Sequence, residues 1–267
     1  MTERQMSDPT RYGRLAGDSY GVDDERAPLV LLHGLTYDRQ QWNPVLEELR
    51  TIDDRRRVLA VDLPGHGDSG PLASYGANEV STAIHQAVED AGITAPIVVG
   101  HSLGGALATT YAGQYPVRGV VNIDQPLLVG GFGDFLRGVD VELRGTAYRD
   151  VWESLLSQLK IDMLPAAAQE LLRTATTPRQ DLLLGYWNEI MMLPPDELAA
   201  RRIRDLETIR ANGTPYHHIS GDELSPHYRT WLESLLPQLT VTVVRGSGHF
   251  PHLAHPTEVA KILSGRP

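Results

Sequence analysis

The sequence predicts an α/β fold: a mostly parallel sheet covered by helices on both faces. Three observations carry that prediction. Short apolar runs of strand length alternate with segments of helical period, the runs stop at glycine turns, and the alternation is interrupted once by a long stretch with helical patterns only. A strand with one solvated face would alternate polar and apolar residues, whereas these runs are apolar nearly throughout, as strands buried on both faces are.

The first run, residues 28–32, stops at His33-Gly34, and the second, residues 58–61, stops at Asp62-Leu63-Pro64-Gly65-His66-Gly67. Between them Trp42, Val45, Leu46 and Leu49 recur at helical spacing. Residues 75–92 read as a helix that gathers Val80, Ala83, Ile84, Ala87, Val88 and Ala91 on one face and stops at Gly92. Residues 96–99 form the next expected strand, 103–115 the next helix and 117–123 the next strand. From about residue 130 to residue 204 only helical patterns occur, at 151–159, 166–172 and 182–192, broken by Pro165, Pro178 and Pro194-Pro195. The sheet resumes at residues 215–220, followed by a helix near 227–236, a strand at 239–245, the turn Gly246-Ser247-Gly248-His249 and a last helix from Pro256. The expected organisation is a core of residues 1–129 and 205–267 with a helical cap inserted at residues 130–204.

Composition narrows the function. The formal net charge is −10, from 24 Lys and Arg against 34 Asp and Glu, and no basic stripe offsets it, which disfavours nucleic acid and acidic membrane surfaces as partners. Cysteine is absent, removing disulfides, thiolate zinc sites and a cysteine nucleophile, and fitting a reducing cytosol. Residues 1–17 alternate polar and charged side chains without the apolar run of a signal peptide, and no stretch approaches the ~20 apolar residues of a membrane span. The expected localisation is cytoplasmic, and the expected partner is a small-molecule substrate, with homodimerisation left open.

The strongest chemical signal is Val98-Val99-Gly100-His101-Ser102-Leu103-Gly104-Gly105, a G-x-S-x-G spacing between an expected strand and an expected helix. A serine on so sharp a turn is held at the strand's end with its hydroxyl exposed, and the flanking glycines leave room for the backbone. The helix that follows aims its first amides at the site, where negative charge develops. Ser102 is therefore the candidate nucleophile. His33-Gly34-Leu35-Thr36 ends an earlier strand, where a second oxyanion amide is supplied in this architecture, so the backbone N–H groups of Leu35 and Leu103 are the candidate oxyanion hole. His249 follows the last strand and is the candidate general base. His33 and His101 are expected in supporting roles. His252 and His255 follow His249 at steps of three, but Pro251 and Pro256 interrupt them and no carboxylate completes a ligand set, so no metal is expected. The glycine turns lack the G-x-G-x-x-G and Walker patterns, so no cofactor is expected either.

Residues 28–36, 62–69, 100–105 and 246–256 together resemble the α/β-hydrolase superfamily over most of the chain outside the expected cap. The resemblance implies an eight-stranded, mostly parallel sheet, a Ser-acid-His triad and a helical cap inserted after the sixth strand. A serine nucleophile separates the chain from haloalkane dehalogenases and epoxide hydrolases, which carry aspartate there. The triad acid has two candidates. The family's usual place, after the seventh strand, falls on Gly221-Asp222-Glu223-Leu224, but in relatives with a Gly-x-x-Asp turn the acid's position is Leu224 here. Zearalenone lactonases carry the acid after the sixth strand, in a segment similar to Asn122-Ile123-Asp124-Gln125-Pro126. Asp124 is preferred and Asp222 is the alternative.

The inserted helices carry Phe132, Phe135, Trp152, Tyr186, Trp187, Met191 and Met192, enough apolar surface to roof an acyl pocket or to pack on the sheet. Gly34, Gln125, Tyr186, Trp187 and Met191 are the expected substrate contacts. The expected activity is an esterase or lactonase acting on a small, partly apolar compound through an acyl-enzyme. Carbon-carbon bond hydrolysis or cyanohydrin cleavage on the same scaffold, and a ligand receptor with negligible turnover, are the alternatives.

Overall fold

The eight strands of the computed structural model are β1 (Arg11–Tyr12), β2 (Leu15–Tyr20), β3 (Leu29–Leu32), β4 (Val58–Val61), β5 (Ile97–His101), β6 (Gly119–Ile123), β7 (Tyr216–Ser220) and β8 (Leu239–Val243). The structure describes residues 10–175 and 178–265, so the first nine and last two residues of the expected core, and two of the expected cap, lie outside it. The strands form one sheet in the order β1-β2-β4-β3-β5-β6-β7-β8. From β4 to β8 every pairing is parallel, and only β1 and β2 join antiparallel.

Alternation along each central strand divides the core in two. Val30 and Leu32, Leu59 and Val61, Val98 and Val120 face one layer of helices, while Leu29 and Leu31, Val58 and Ala60, Val99 and Val121 face the other. The first layer contains α2 (Ala77–Asp90) and α3 (Leu103–Gln114), and the second contains α1 (Asn43–Ile52) and α12 (Pro256–Ser264). Burial on both faces explains why these strands read as unbroken apolar runs. The β1–β2 hairpin was not evident from the residues because β2 buries Leu15, Ala16 and Gly17 but leaves Asp18, Ser19 and Tyr20 half-exposed, so it contains no apolar run.

Between β6 and β7 lie α4 (Gly130–Gly138), α5 (Asp140–Arg144), α6 (Tyr148–Ser157), α7 (Ala166–Ala175), α8 (Gln180–Met192) and α9 (Pro195–Ala211). The expected division at residue 204 falls inside α9. Leu206 and Ile209 of that helix are buried in the same core layer as Leu107, Ala108 and Tyr111 of α3, and its Arg202 donates to the Ala106 carbonyl. α10 (Pro226–Leu235) links β7 to β8, and the short α11 (Pro251–Ala254) follows β8.

Leu31 is fully buried at the centre of β3, between β4 and β5. Leu31→Ala should destabilise the fold by ~2–5 kcal/mol, the range for a large-to-small change in a closed core. Urea unfolding followed by circular dichroism checks this, and a loss below about 1 kcal/mol would contradict a close-packed sheet centre.

Candidate active site

The parallel register brings the chemically active loops to one edge. Leu32 pairs with Gly100, His101 with Ile123, and Ile123 with Ile219. The residues that follow are therefore His33-Gly34-Leu35, Ser102 and Asp124, with Ser220, the last residue of β7, level with Asp124 at the strands' carboxyl ends. β3 and β5 are also where the strand order reverses, and a crevice opens at such a point in α/β sheets.

Ser102 sits between β5 and α3 with φ 51° and ψ −123°, a left-handed conformation that is strained for a residue with a side chain. Its N–H donates to the Ile123 carbonyl at 3.0 Å, tying the turn to β6. The tight turn is open only to glycine at its flanks: a Cβ on Gly100 would overlap the Gly104 carbonyl, and one on Gly104 would overlap the Leu32 carbonyl. Leu103 is the first residue of α3, so its N–H has no acceptor within the helix.

His249 Nδ1 lies 2.8 Å from Asp124 Oδ2. The other carboxylate oxygen, Oδ1, accepts from the Gly221 N–H at 3.0 Å and lies 3.1 Å from the Ser220 hydroxyl, whose one proton is shared with the Asp222 carbonyl at 2.7 Å. Asp124 itself has φ 53°, and its loop is clamped by Asn122, whose amide accepts from Gln125 N–H at 3.1 Å and donates to the Gln125 carbonyl at 2.9 Å. Burial pushes the Asp124 carboxyl up, but the His249 ring, the Gly221 N–H and the Ser220 hydroxyl together outweigh it and hold the group below its ordinary value. Asp222, the alternative acid, turns away: its side chain is 70% exposed and pairs with Lys160 at 2.9 Å. The end of β7 and the residue after it thus supply donors to Asp124. Ser220 and Gly221 were not singled out in the sequence, where only a carboxylate was sought at that place.

A cavity of about 420 Å³ opens at this edge, and Ser102, His249, Leu35, Leu103, Gln125, Tyr186 and Trp187 lie on its wall. Gly34 and Met191 do not. Gly34 is turned against His101 and donates its N–H to Gln41 at 3.0 Å, so it backs the loop instead of facing the cavity. On α8, Tyr186, Trp187 and Ile190 reach the wall, and Met191, one residue on, is buried in the core layer. Tyr186 also donates its hydroxyl to the Pro64 carbonyl at 2.9 Å, and Trp187 packs edge to face with Phe132 and at a tilt on Trp152, with ring centres 5.6 and 6.2 Å away. Tyr75, in the loop before α2, and Glu189 and Arg202, on α8 and α9, line the cavity and were not singled out in the sequence, where no local pattern distinguishes them.

Buried histidines brace the site. His33 donates from Nδ1 to the Gly34 carbonyl and accepts the Leu63 N–H on Nε2 at 2.9 Å; His66 donates to the Pro64 carbonyl and accepts the Thr36 N–H at 3.1 Å. Both rings must be neutral to accept, and together they fix the two loops flanking Leu35. His101 donates to the His249 carbonyl at 2.8 Å and packs on His252, while His255 is exposed.

A model of the alpha/beta hydrolase family matches residues 29–262. The chain belongs to this family. Among curated relatives of this hydrolase chain, a 2-succinyl-6-hydroxy-2,4-cyclohexadiene-1-carboxylate synthase of Enterobacter sp. (strain 638) is 28% identical over 88% of this chain and 90% of its own length. A pimeloyl-[acyl-carrier protein] methyl ester esterase of Yersinia pseudotuberculosis is 28% identical over 91% of this chain and 94% of its own. Among solved structures, the enol-lactonase from Burkholderia xenovorans LB400 shares the fold with a TM-score of 0.73 at 16% identity, covering 94% of this chain and 95% of that one. The eight-stranded, mostly parallel hydrolase sheet expected from the resemblance is thus present. Among the described residues, no helix is long and apolar enough to cross a membrane.

Burial lowers the pKa of His33 and His218 to about 4 and of His66 and His252 to about 3, and holds His101 well below its ordinary value. Folded values below the unfolded one, near 6.5, mean that the unfolded chain binds more protons as the pH falls between them. Stability is therefore full above about pH 6.5 and is lost on acidification, at ~1.4 kcal/mol per pH unit for each histidine once the unfolded ring is protonated. Asp205, which burial raises to about 6, titrates in the same window with the opposite sign, but it is one group against five rings, so the thermal midpoint should still decline between about pH 6.5 and 5.5. A flat profile there would mean that these rings are not held neutral.

Proposed function

We propose that the protein is a serine hydrolase that cleaves an ester or lactone of a small, partly apolar compound through an acyl-enzyme. Ser102 attacks the carbonyl carbon, and its proton passes to His249, whose other nitrogen is oriented by Asp124. The oxyanion forms within reach of the N–H groups of Leu35 and Leu103, which need no reorganisation because one begins α3 and the other sits on a loop fixed by His33 and His66. His249 then protonates the leaving alcohol, and a water activated by the same ring releases the acid and restores Ser102. Residues 130–204 act as the cap: Tyr186 and Trp187 present apolar surface to the substrate, with Gln125 beside the acid loop.

The observation that carries this reading is the 2.8 Å contact between His249 and Asp124 at the wall of the same cavity as Ser102, Leu35 and Leu103. The similarity to a methyl ester esterase over nine-tenths of both chains supports ester substrates. Similarity to a protein named as a synthase favours one second reading, non-ester chemistry such as carbon-carbon bond cleavage at the same serine. A cytoplasmic location fits the absence of cysteine.

A fluorophosphonate probe should label Ser102, and a panel of aryl esters and lactones should be turned over. Rapid labelling without turnover of any ester or lactone would favour the second reading or a receptor. Ser102→Ala should abolish labelling and lower turnover by a factor on the order of 10⁶; more than a few per cent residual activity in pure protein would exclude Ser102 as nucleophile. Asp124→Asn should lower kcat by ~10⁴ while sparing substrate binding, because it leaves the imidazole in the wrong tautomer. Asp222→Asn should have a much smaller effect, and the reverse ranking would move the acid to the end of β7. Trp187→Ala should raise KM for bulky esters more than for an acetate, since uniform binding energy lost with the indole leaves kcat nearly unchanged; equal profiles for both substrate sizes would place the cap's contact elsewhere.

A further inference from the structure

Two charged side chains, Glu189 and Arg202, line a cavity whose wall is otherwise dominated by apolar and aromatic residues. Their states differ. Both oxygens of Glu189 are taken, Oε1 by Arg201 Nη1 at 2.8 Å and Oε2 by the Ala77 N–H at 2.9 Å, so this carboxylate anchors the start of α2 to α8 and α9. Arg202 is engaged on one side only. Its Nη1 donates to the Ala106 carbonyl at 3.2 Å, to the Thr110 hydroxyl at 3.1 Å and to Asp205 at 3.3 Å. Its Nε and Nη2 meet no acceptor among the described residues, although the side chain is only 16% exposed. Asp205 does not lie on the cavity wall. The Nε–Nη2 edge is the face of a guanidinium that holds a carboxylate through two parallel hydrogen bonds.

The position of this edge relative to the nucleophile follows from α3. Ser102 precedes the helix, and Ala106 and Thr110 lie four and eight residues further on, about 6 and 12 Å along its axis at ~1.5 Å per residue. An extended chain advances ~3.5 Å per three bonds. A group bonded to Arg202 is then about five to ten bonds from a carbonyl at Ser102.

Building on the assignment of Ser102 as nucleophile, we propose that Arg202 is a specificity-determining residue that receives a carboxylate at the end of the substrate remote from the scissile carbonyl. The preferred substrates are then half-esters of medium-length dicarboxylic acids, or lactones bearing such a carboxylate, with the apolar wall covering the methylenes between the two ends. An uncharged ester of the same length leaves the donors of Arg202 without their acceptor, and a site built to hydrogen-bond a group rejects analogues lacking it.

The test compares monoethyl esters of dicarboxylic acids with six to ten carbons against ethyl esters of the matching monocarboxylic acids. The wild-type protein should favour the charged series by about 30-fold or more in kcat/KM, mostly through KM, and Arg202→Gln should bring that ratio close to one. Arg202→Lys, which keeps the charge but loses the planar fork, should retain part of the preference. A merely structural link between α9 and α3 would lower both series together and leave the ratio unchanged, and that result, or equal rates for the two series in the wild-type protein, would overturn the proposal. Failure of the Ser102 assignment reads differently. If no ester is turned over, calorimetry of Ser102→Ala and of the Ser102→Ala, Arg202→Gln double variant with the half-amides of the same diacids reports on Arg202 alone. Binding lost in the double variant supports the carboxylate site, and no binding by either protein, or equal binding by both, refutes it.

Discussion

The hydrogen bond between His249 and Asp124 joins two loops 125 residues apart in the chain, and it depends on the register of a single strand. Ile123, at the end of β6, stands opposite His101 of β5 and Ile219 of β7. Ser102 and Asp124 therefore leave the sheet level with Ser220, the last residue of β7, and each is locked to its neighbour: the Ser102 N–H to the Ile123 carbonyl, the Asp124 N–H to the Ile219 carbonyl, and the Asp124 carboxylate to Ser220 and Gly221. A slip of one residue in β6 would exchange its two faces, moving Val121 and Val120 into the wrong layers. Core packing and site geometry are thus the same constraint, and the left-handed backbone at Ser102 and Asp124 is tolerated because the layers on both sides leave no alternative register.

Behind this edge the protein uses neutral imidazoles where a backbone polar group would otherwise be stranded. His33 and His66 each donate to one carbonyl and accept one N–H, a two-sided role that a lysine, an arginine or a protonated histidine lacks. Their rings pack edge to face with centres 5.0 Å apart, and Tyr186 packs at a tilt against His66 from the inserted helices. The same set therefore fixes the loop bearing Leu35 and offers a docking surface for the wall above it. Asp124 is the opposite case. Burial alone would favour its neutral form, and its three partners reverse that balance, so the carboxylate is kept charged beside the one imidazole on the cavity wall.

Much of this was legible in the sequence, for reasons that also explain what was not. β3, β4 and β5 are buried on both faces, so they stand out as apolar runs, and the turn around Ser102 stands out because only glycine fits at positions 100 and 104. The β1–β2 hairpin pairs at the sheet's antiparallel side with one wetter half and carries no such signature. Asp124 was preferred over Asp222 on the resemblance of its segment, since both follow strands at the same edge; the donors around Asp124 and the exposure of Asp222 support that preference. Met191 and Gly34 were expected at the substrate because of their neighbours in sequence, but one step along a helix or around a turn changes the direction a residue faces by about 100° or more. Arg202 illustrates the limit most plainly, since its meaning lies in which of its nitrogens are already occupied.

The elements around the cavity also differ in how they are held. Arg202 is bound to α3, the helix that begins at Ser102, so helix pitch fixes its distance from the proposed nucleophile. The aromatic wall comes instead from α8, which joins the sheet-end loop through two hydrogen bonds near its start and middle, Arg179 to the Gly65 carbonyl at 2.8 Å and Tyr186 to the Pro64 carbonyl at 2.9 Å. A substitution in α8 can therefore reshape the girth of the cavity while the span from Ser102 to Arg202 stays constant. Length and terminal charge of a substrate would be read by α3 and α9, and bulk by the side chains of α8. That division lets the inserted helices vary among members of one fold without disturbing a reaction centre built wholly from the ends of parallel strands.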